Sequence, residues 1–354
     1  VIAPAPPLLH ICKAKLSWPQ NNARSSKYLT VLSILSVLPL ESLIPTTLFG
    51  YNFRGKQKKL TYILNPAEFS YIKMFNESND FQDQYLENDF LANQYRDHLI
   101  TGSSYTIIYN NQKINRIKNY SLIKGRFEMS GLGLNTLASI SNFEKDSLGS
   151  YTLFDNAFTQ YLILELDIRR YLMINKDNII AFRGYIGIGY PYGNSEQIPA
   201  QKQFFAGGTN GLRAWTAFSL GPGSYKNFED NNINYFLGDI KIESSIEYRF
   251  PLFNVGSNKM KGAIFSDIGN IWNMQEIPEQ NGSKFGTDFL SEIAIGVGLG
   301  FRYDVKFLIL RVDLATPIRT PYLDQINNTN WVKNPFNKAL EGDITINIGI
   351  GYPF

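Results

Sequence analysis

Cysteine and histidine are almost absent from this sequence of 354 residues. Cys12 is the only cysteine, and His10 and His98 are the only histidines. A single cysteine excludes an intrachain disulfide and a metal site built from cysteines. A zinc enzyme, a Ser-His-Asp hydrolase or a Cys-His protease would have to use one of the two histidines, and neither lies in a recognisable motif. We therefore expect no catalytic residue, no metal site, no cofactor and no enzymatic activity.

A long hydrophobic run and a strong excess of one charge are also missing. The most apolar stretch near the start, residues 29–40, has about 12 residues, whereas a membrane-spanning helix needs about 20. It also lacks the small-residue cleavage site of a secretory signal peptide. The formal net charge is +3, and the lysines and arginines are dispersed along the chain, so nucleic acid is not an expected partner.

Aromatic residues and glycine, in contrast, are abundant. Phe, Tyr and Trp make up 14% of the chain, and there are 28 glycines, a composition that favours strands and turns. From about residue 45 onward, apolar and polar residues alternate with period two, which predicts β-strands. We count about eleven strands, which include residues 60–74, 99–110, 120–131, 161–169, 180–190, 239–250, 292–303, 307–315 and 344–354.

The two sides of these segments differ in polarity, which chooses between a soluble and a membrane fold. Soluble strands usually have about 5 to 6 residues, whereas a tilted strand that crosses a bilayer needs about 9 to 11. A soluble core also cannot hold a row of charges, because burying an unpaired ion costs several kcal/mol. We therefore predict an all-β fold, a transmembrane antiparallel β-barrel with a water-filled lumen; a secreted soluble β-protein is the alternative. The charged side chains assigned to the lumen are Lys241, Glu243, Glu247, Arg249, Arg302, Arg311 and Asp313.

A connection of about 45 residues, 191–235, separates two of the predicted strands, and such lengths are typically functional or disordered. Its sequence contains QFFAGGTNGLRAW, in which aromatic residues and glycines surround Arg213. An arginine on a loop inside a lumen can form planar, bidentate pairs with carboxylates. Asp267 and Glu247 are the best partners because both are assigned to the lumen side of adjacent strands, and Glu243 is a weaker candidate. The alternative is that Arg213 caps a surface loop and Asp267 only lines a pore.

Several motifs together resemble the BamA/TamA family of outer-membrane assembly barrels over residues 45–354. The segment around Arg213 is similar to the family's sixth-loop element, with Gly207, Gly208, Leu212 and Trp215 as its other members, although Ala214 replaces the usual glycine. FSDIG, from Phe265 to Gly269, resembles the family's strand motif, and INIGIGYPF resembles its closing strand. The order and spacing of these motifs make the resemblance more specific than one glycine-rich loop would.

The resemblance implies a function in the outer membrane of a diderm bacterium, where the protein would insert other barrel proteins or translocate proteins. It implies that Asp267 and Glu247 hold Arg213, and that the seam between first and last strands opens to template a client strand. The expected partners are the lipid bilayer, lipopolysaccharide, client outer-membrane proteins and periplasmic or lipoprotein accessory subunits. A passive or substrate-specific pore is the alternative function.

The closing segment has two expected roles under this resemblance. Gly349 and Gly351 would weaken the seam, because glycine weakens a strand. Tyr352 and Phe354, placed on the lipid side by the alternation, would form a terminal targeting signal.

The N-terminal residues 1–44 receive no clear assignment. The family has a sixteen-stranded barrel preceded by POTRA domains, and neither the POTRA domains nor the first five strands are recognisable here. Residues 28–38 could supply a twelfth strand. We therefore expect a truncation boundary near residues 1–44, with residues 45–354 forming the C-terminal part of a larger barrel.

Overall fold

The computed structural model describes most of the chain. It describes backbone and side chains at residues 59–71, 98–113, 118–141, 143–146, 149–153, 156–226, 236–256, 258–305, 307–323, 328–335 and 344–354. It describes the backbone alone at residues 12–19, 25–33, 35–37, 40–43, 46–54, 72–75 and 324.

These described residues form twenty strands and one helix. The strands are β1 (Cys12–Pro19), β2 (Ser25–Ser33), β3 (Leu35–Val37), β4 (Leu40–Leu43), β5 (Thr46–Arg54), β6 (Leu60–Phe75), β7 (His98–Asn110), β8 (Tyr120–Ser130), β9 (Thr152–Leu153), β10 (Asn156–Phe158), β11 (Tyr161–Met173), β12 (Ile179–Pro191), β13 (Phe204–Phe205), β14 (Leu237–Gly238), β15 (Ile240–Val255), β16 (Asn258–Trp272), β17 (Ala294–Asp304), β18 (Ile309–Asp324), β19 (Thr329–Trp331) and β20 (Thr345–Ile350). The helix, α1, spans Leu132–Ser141. Every interval that the alternation predicted overlaps one of these strands, and several strands extend beyond the predicted bounds.

One compact unit comprises residues 1–108, 125–164 and 189–202. Within it, β1 pairs with β2, β2 with β5 and β5 with β6, all antiparallel. Short β10 pairs antiparallel with β9 and parallel with β7. Ala138 of α1 packs with Leu99 and Phe158 in a small apolar core. The helix was not predicted, and within the described residues no helix has the length and apolar character needed to cross a membrane.

Strands also occupy the segment that the sequence left unassigned. Strands β1 to β4 lie within residues 1–44, and β2 pairs antiparallel with β5 across the boundary predicted at residue 45. Residues 28–38, for which we predicted one further strand, contain part of β2 and all of β3.

The second compact unit comprises residues 109–124, 165–188 and 203–354. In it, β12, β15, β16, β17, β18 and β20 pair antiparallel in that order. One side of these strands is aliphatic and open, with Ile246, Leu299 and Ile348 exposed to 50%, 53% and 76%. The other side, here called the inner face, carries charged side chains that are almost fully buried, as expected from the period-two alternation.

Candidate functional site

The loop between β12 and β15 folds into a compact structure around its glycines. Gly207 and Gly208 both have φ near +90°, at 88° and 89°, which a residue with a side chain rarely adopts. A side chain at Gly207 would also collide with the carbonyl oxygen of Thr216. The Gly208 N–H donates to the Trp215 carbonyl at 2.8 Å, so the segment between them closes into a tight turn. This turn presents Arg213 to the strands.

Arg213 is completely buried against two carboxylates of the inner face. Its Nε and Nη2 donate to Asp267 Oδ2 and Oδ1 at 2.8 and 2.9 Å, a bidentate pair, and its Nη1 donates to Glu247 Oε2 at 2.6 Å. The Arg213 backbone N–H also donates to Asp267, at 3.1 Å. We call Arg213, Asp267 and Glu247 the loop lock. The structure thus brings together the three residues that the sequence selected for this contact.

Phe265, the aromatic residue of the strand motif, packs against one face of the Arg213 guanidinium. The Arg213 Cζ lies 3.4 Å from the centroid of the Phe265 ring, a cation–π contact in which the planar guanidinium covers the aromatic face. Phe265 is itself buried, and its ring lies where a side chain at Gly298 of β17 would otherwise be. The Phe265 ring therefore holds the plane of the guanidinium, and the two carboxylates fix its direction within that plane.

The loop lock continues into a larger ionic network on the inner face. Glu247 Oε1 accepts from Arg249 Nε at 2.8 Å and from Arg302 Nη2 at 3.2 Å. Arg302 Nη1 donates to Asp313 Oδ1 at 2.5 Å, and Asp313 Oδ2 lies 3.6 Å from Arg213 Nη1. More than one opposite charge therefore lies near each of four buried groups, Arg213, Glu247, Arg302 and Asp313, which offsets the cost of removing them from water. Asp267 pairs with Arg213. The alternation placed Arg302 and Asp313 on the lumen side but did not indicate that they belong to this site.

The charge state of Arg213 follows from these partners. Burial opposes the charged form of the guanidinium, but Asp267 and Glu247 outweigh this effect and raise the pKa of Arg213 above its ordinary value. Arg213 therefore keeps its positive charge at physiological pH. Glu243, the weaker candidate partner, does not reach Arg213; it pairs instead with Lys241 Nζ at 2.9 Å.

A glycine of β17 leaves space for the loop on the inner face, and we call this part of β17 the wall. Gly296 of β17 faces the loop, and a side chain there would collide with the Cβ of Ala214 and approach the ring of Trp215. Ala214, where the family usually has glycine, is thus accommodated because the strand contributes the glycine. Leu212, Ala214 and Trp215 are all buried in the apolar cluster beside the loop lock.

The distal part of the loop is bound to β16 beyond the strand motif. Gly269, the last residue of that motif, lets β16 lie close to Glu243 of β15, because a side chain at Gly269 would collide with the Ile242 carbonyl oxygen. Asn270 Nδ2 donates to the carbonyls of Gly223 and Glu292 at 2.9 and 2.7 Å. The loop is therefore held at two points along one strand, at Asp267 and at Asn270.

The closing segment differs from the prediction in one respect. Tyr352 and Phe354 were expected on the lipid side, but Phe354 is 7% exposed and packs in a cluster with Tyr171 and Ala181. The reason is that β20 ends at Ile350 and Gly351 adopts φ +84°, a left-handed turn that ends the alternation. The placement on the lipid side is therefore wrong, whereas the targeting role of these residues stays a prediction.

Two polar residues of β20 reach the loop although sequence analysis did not select them. Thr345 Oγ1 donates to the Ala214 carbonyl at 2.9 Å, and Asn347 Nδ2 donates to the Arg213 carbonyl at 2.8 Å. Their only sequence signal is that they occupy the polar side of the closing strand. In the part of the chain that the structure describes, no group of three or more Cys, His, Asp or Glu side chains is arranged to hold a metal ion.

The sequence of this chain is similar to that of known outer-membrane proteins. The chain matches the Omp85 superfamily domain over residues 47–354. It is 26% identical over 114 residues to the outer membrane protein assembly factor BamA of Neisseria meningitidis serogroup B, an alignment that covers 32% of this chain and 14% of that protein.

Solved structures agree with the same fold. BamA from Haemophilus ducreyi lacking POTRA domains 1–3 matches with a TM-score of 0.60 and 13% identity, covering 91% of this chain and 60% of that one. CdiB from Escherichia coli matches with a TM-score of 0.55 and 10% identity, covering 87% and 49%. The chain thus spans less than two thirds of each of these relatives. The predicted fold, a transmembrane antiparallel β-barrel with a long loop on its inner face, and the resemblance to the BamA/TamA family are confirmed, and the chain belongs to the Omp85 superfamily.

Proposed function

We propose that this chain forms the barrel of an outer-membrane factor that inserts β-barrel proteins or translocates proteins in a diderm bacterium, without catalysing a covalent reaction. The observation that carries the proposal is the loop lock, in which Arg213 is buried between Asp267 and Glu247. Such a contact fixes a long loop in one position on the inner face. The names of the matched relatives, an outer membrane protein assembly factor among them, support the same class of function.

The closing strand supports a mechanism that uses a lateral seam. β20 has six residues, whereas its partner β18 has sixteen. In the described part of the chain, β18 is the one strand with which β20 pairs. A short strand with a second edge available can pair with an incoming strand by β-augmentation. We propose that a client strand adds to this edge, with the loop lock keeping the inner face in register during the exchange.

The alternative function, a passive or substrate-specific pore, is less compatible with the loop. Leu212, Trp215 and Leu220 are buried to 9% exposure or less, so the loop packs against the inner face as a solid element. A wide permanent channel would leave these side chains open to water. The buried loop therefore argues against a wide permanent channel.

The test is a client-folding assay with the purified chain in liposomes of outer-membrane lipids that contain lipopolysaccharide. A small outer-membrane barrel is diluted from urea, and its folded fraction is followed by gel mobility. We expect faster client folding than in empty liposomes, and a rate near the empty-liposome value for Arg213→Ala. Equal client folding with and without the wild-type chain, together with a large steady conductance in planar bilayers, would refute the assembly function and favour the pore.

A further inference from the structure

The inner face of the closing strand is directed at the backbone of the loop. Successive inner positions of β20 are Thr345, Asn347 and Gly349. The first two donate hydrogen bonds to the carbonyls of Ala214 and Arg213, at 2.9 and 2.8 Å. Asn347 is 5% exposed, so its amide has little access to water. Both hydrogen bonds therefore depend on the loop being docked.

The third inner position, Gly349, faces an arginine of β18 that binds the loop. A side chain at Gly349 would collide with the guanidinium of Arg311, which lies against the strand. Arg311 Nη2 donates to Asn210 Oδ1 of the loop at 3.0 Å. Each inner position of β20 thus contacts either the loop or an arginine that binds the loop.

A second connection runs from the turn after β20 to the loop lock. Arg249 Cζ lies 4.0 Å from the centroid of the Tyr352 ring and 5.5 Å from that of Phe354, and its Nη2 donates to the Phe354 carbonyl at 3.3 Å. The same guanidinium donates through Nε to Glu247, the carboxylate that also holds Arg213. Arg249 therefore joins the terminal aromatic residues to the loop lock through one shared carboxylate.

The outer side of β20 offers the strand little support from the protein. Ile346, Ile348 and Ile350 are exposed to 64%, 76% and 73%, more than Ile246 or Leu299 on the neighbouring strands. With one described pairing strand and an open outer side, the position of β20 depends strongly on its inner contacts. Those inner contacts lead to the loop.

We propose that Asn347 and Arg249 are positioning residues that couple the loop lock to the closing strand. While the loop is docked, these residues hold β20 against β18, with its edge in position for a client strand. When the loop undocks, β20 loses its inner support and its edge is no longer held in that position. The proposal rests on the proposed function, because it identifies the loop as the element that regulates the seam offered to a client strand. Coupling between two sites is reciprocal, so loosening β20 also loosens the loop.

The experiment measures amide hydrogen exchange of the whole chain in lipid nanodiscs, resolved to peptides covering residues 344–354 and 206–216. For Asn347→Leu we expect exchange in β20 to rise about three- to tenfold, the range for loss of one hydrogen bond. Exchange in the loop should rise with it. Thr106→Val is the matched control, because Thr106 is a buried polar residue of β7 that belongs to the first compact unit, whereas both peptides belong to the second. It should leave both peptides unchanged.

Arg213→Ala tests the coupling from the loop side. We expect faster exchange in β20 as well as in the loop, and little further increase when Asn347→Leu is added, because both changes break one connection. Arg249→Lys keeps the charge but loses the planar contact with Tyr352, so β20 should exchange faster. A merely structural role would instead raise exchange throughout β15 and β16 and lower the urea concentration of unfolding.

Two results would overturn the proposal. One is faster exchange confined to the loop in Arg213→Ala, and the other is unchanged exchange in β20 for Asn347→Leu. If Asn347→Leu does not fold, Thr345→Val removes the neighbouring hydrogen bond at a partly buried position and is held to the same criterion. Exchange is measured without a client. A wild-type chain that shows the coupling but does not accelerate client folding would therefore refute the proposed function alone, and the reverse result would refute the coupling alone.

Discussion

Replacing Arg213 by alanine should undock the loop while the barrel stays folded. The substitution removes three side-chain hydrogen bonds to two buried carboxylates. Removing one partner of a buried ion pair typically costs about 3 to 5 kcal/mol, because the other charge is left without compensation. We take about 3 kcal/mol here, since Glu247 keeps Arg249 and Arg302 as partners. This value corresponds to roughly a 100-fold shift of the docking equilibrium.

The two carboxylates of the loop lock should respond differently to a second substitution. In Arg213→Ala, Asp267 has lost both guanidinium hydrogen bonds, so Asp267→Asn removes an uncompensated charge and should recover about 1 to 2 kcal/mol. Glu247→Gln should recover nothing, because it deprives Arg249 and Arg302 of the carboxylate that they share. Exchanging the charges, as Arg213→Glu with Asp267→Arg, should restore part of the function that either single change abolishes.

Amide hydrogen exchange of residues 206–216 in nanodiscs measures loop docking, and heat-dependent gel mobility checks that the barrel is folded. A change in loop exchange of less than about threefold in Arg213→Ala, far below the expected shift of roughly 100-fold, would show that Arg213 does not hold the loop. A rescue of Arg213→Ala by Glu247→Gln as large as that by Asp267→Asn would contradict the expected difference between the two carboxylates. Equal failure of the charge exchange and the single changes would contradict direct pairing of Arg213 with Asp267.

Two further predictions concern the wall and the base of the loop. Gly296→Leu should displace Ala214 and raise loop exchange at least tenfold, whereas Ala214→Gly should leave it nearly unchanged; equal effects would show that the close approach is unimportant. Lys202 Nζ lies 2.6 Å from Glu128 and 2.8 Å from Glu68. Burial opposes its charged form, but these carboxylates prevail and raise the pKa of Lys202 above its ordinary 10.5. A lysine with a raised pKa contributes stability below pH 10.5 that is lost as pH rises through the higher value. A spin label at exposed Gln201 should therefore stay immobile from pH 6 to about pH 10.5 and become mobile only as the pH rises further. Mobility that changes near pH 7 would show that Lys202 and its two carboxylates do not hold this part of the loop.

The strands and the loop lock were predictable because their signals are local and periodic. Alternation identified the side of β15 that carries Glu247, and period two leaves few choices for which side chains share a face. Asp267 was selected through the FSDIG motif and the resemblance to the family. The register between strands is set by pairing and is not written in either strand alone. For that reason Arg302 and Asp313 were assigned to the lumen but not recognised as members of the network.

Three features of the structure were not predicted, and each has its own physical reason. The alternation was extended through Gly351, whose positive φ redirects the chain and buries Phe354. Helix α1 was missed because its ten residues, LGLNTLASIS, contain no charged residue at either end to signal a helix terminus. Asn347 was overlooked because a neutral amide on a strand has no motif, and its role depends on a carbonyl more than one hundred residues away in sequence.

The pairing of Ala214 with Gly296 has a consequence for relatives of this protein. The space that lets the loop reach the wall is a shared volume, and either side of the contact can supply it. A loop that carries alanine is therefore portable only into a barrel whose facing strand has no side chain at that point. Grafted onto a relative with a bulkier wall, the same motif would retain its arginine yet stand too far from the acidic pair to bind it.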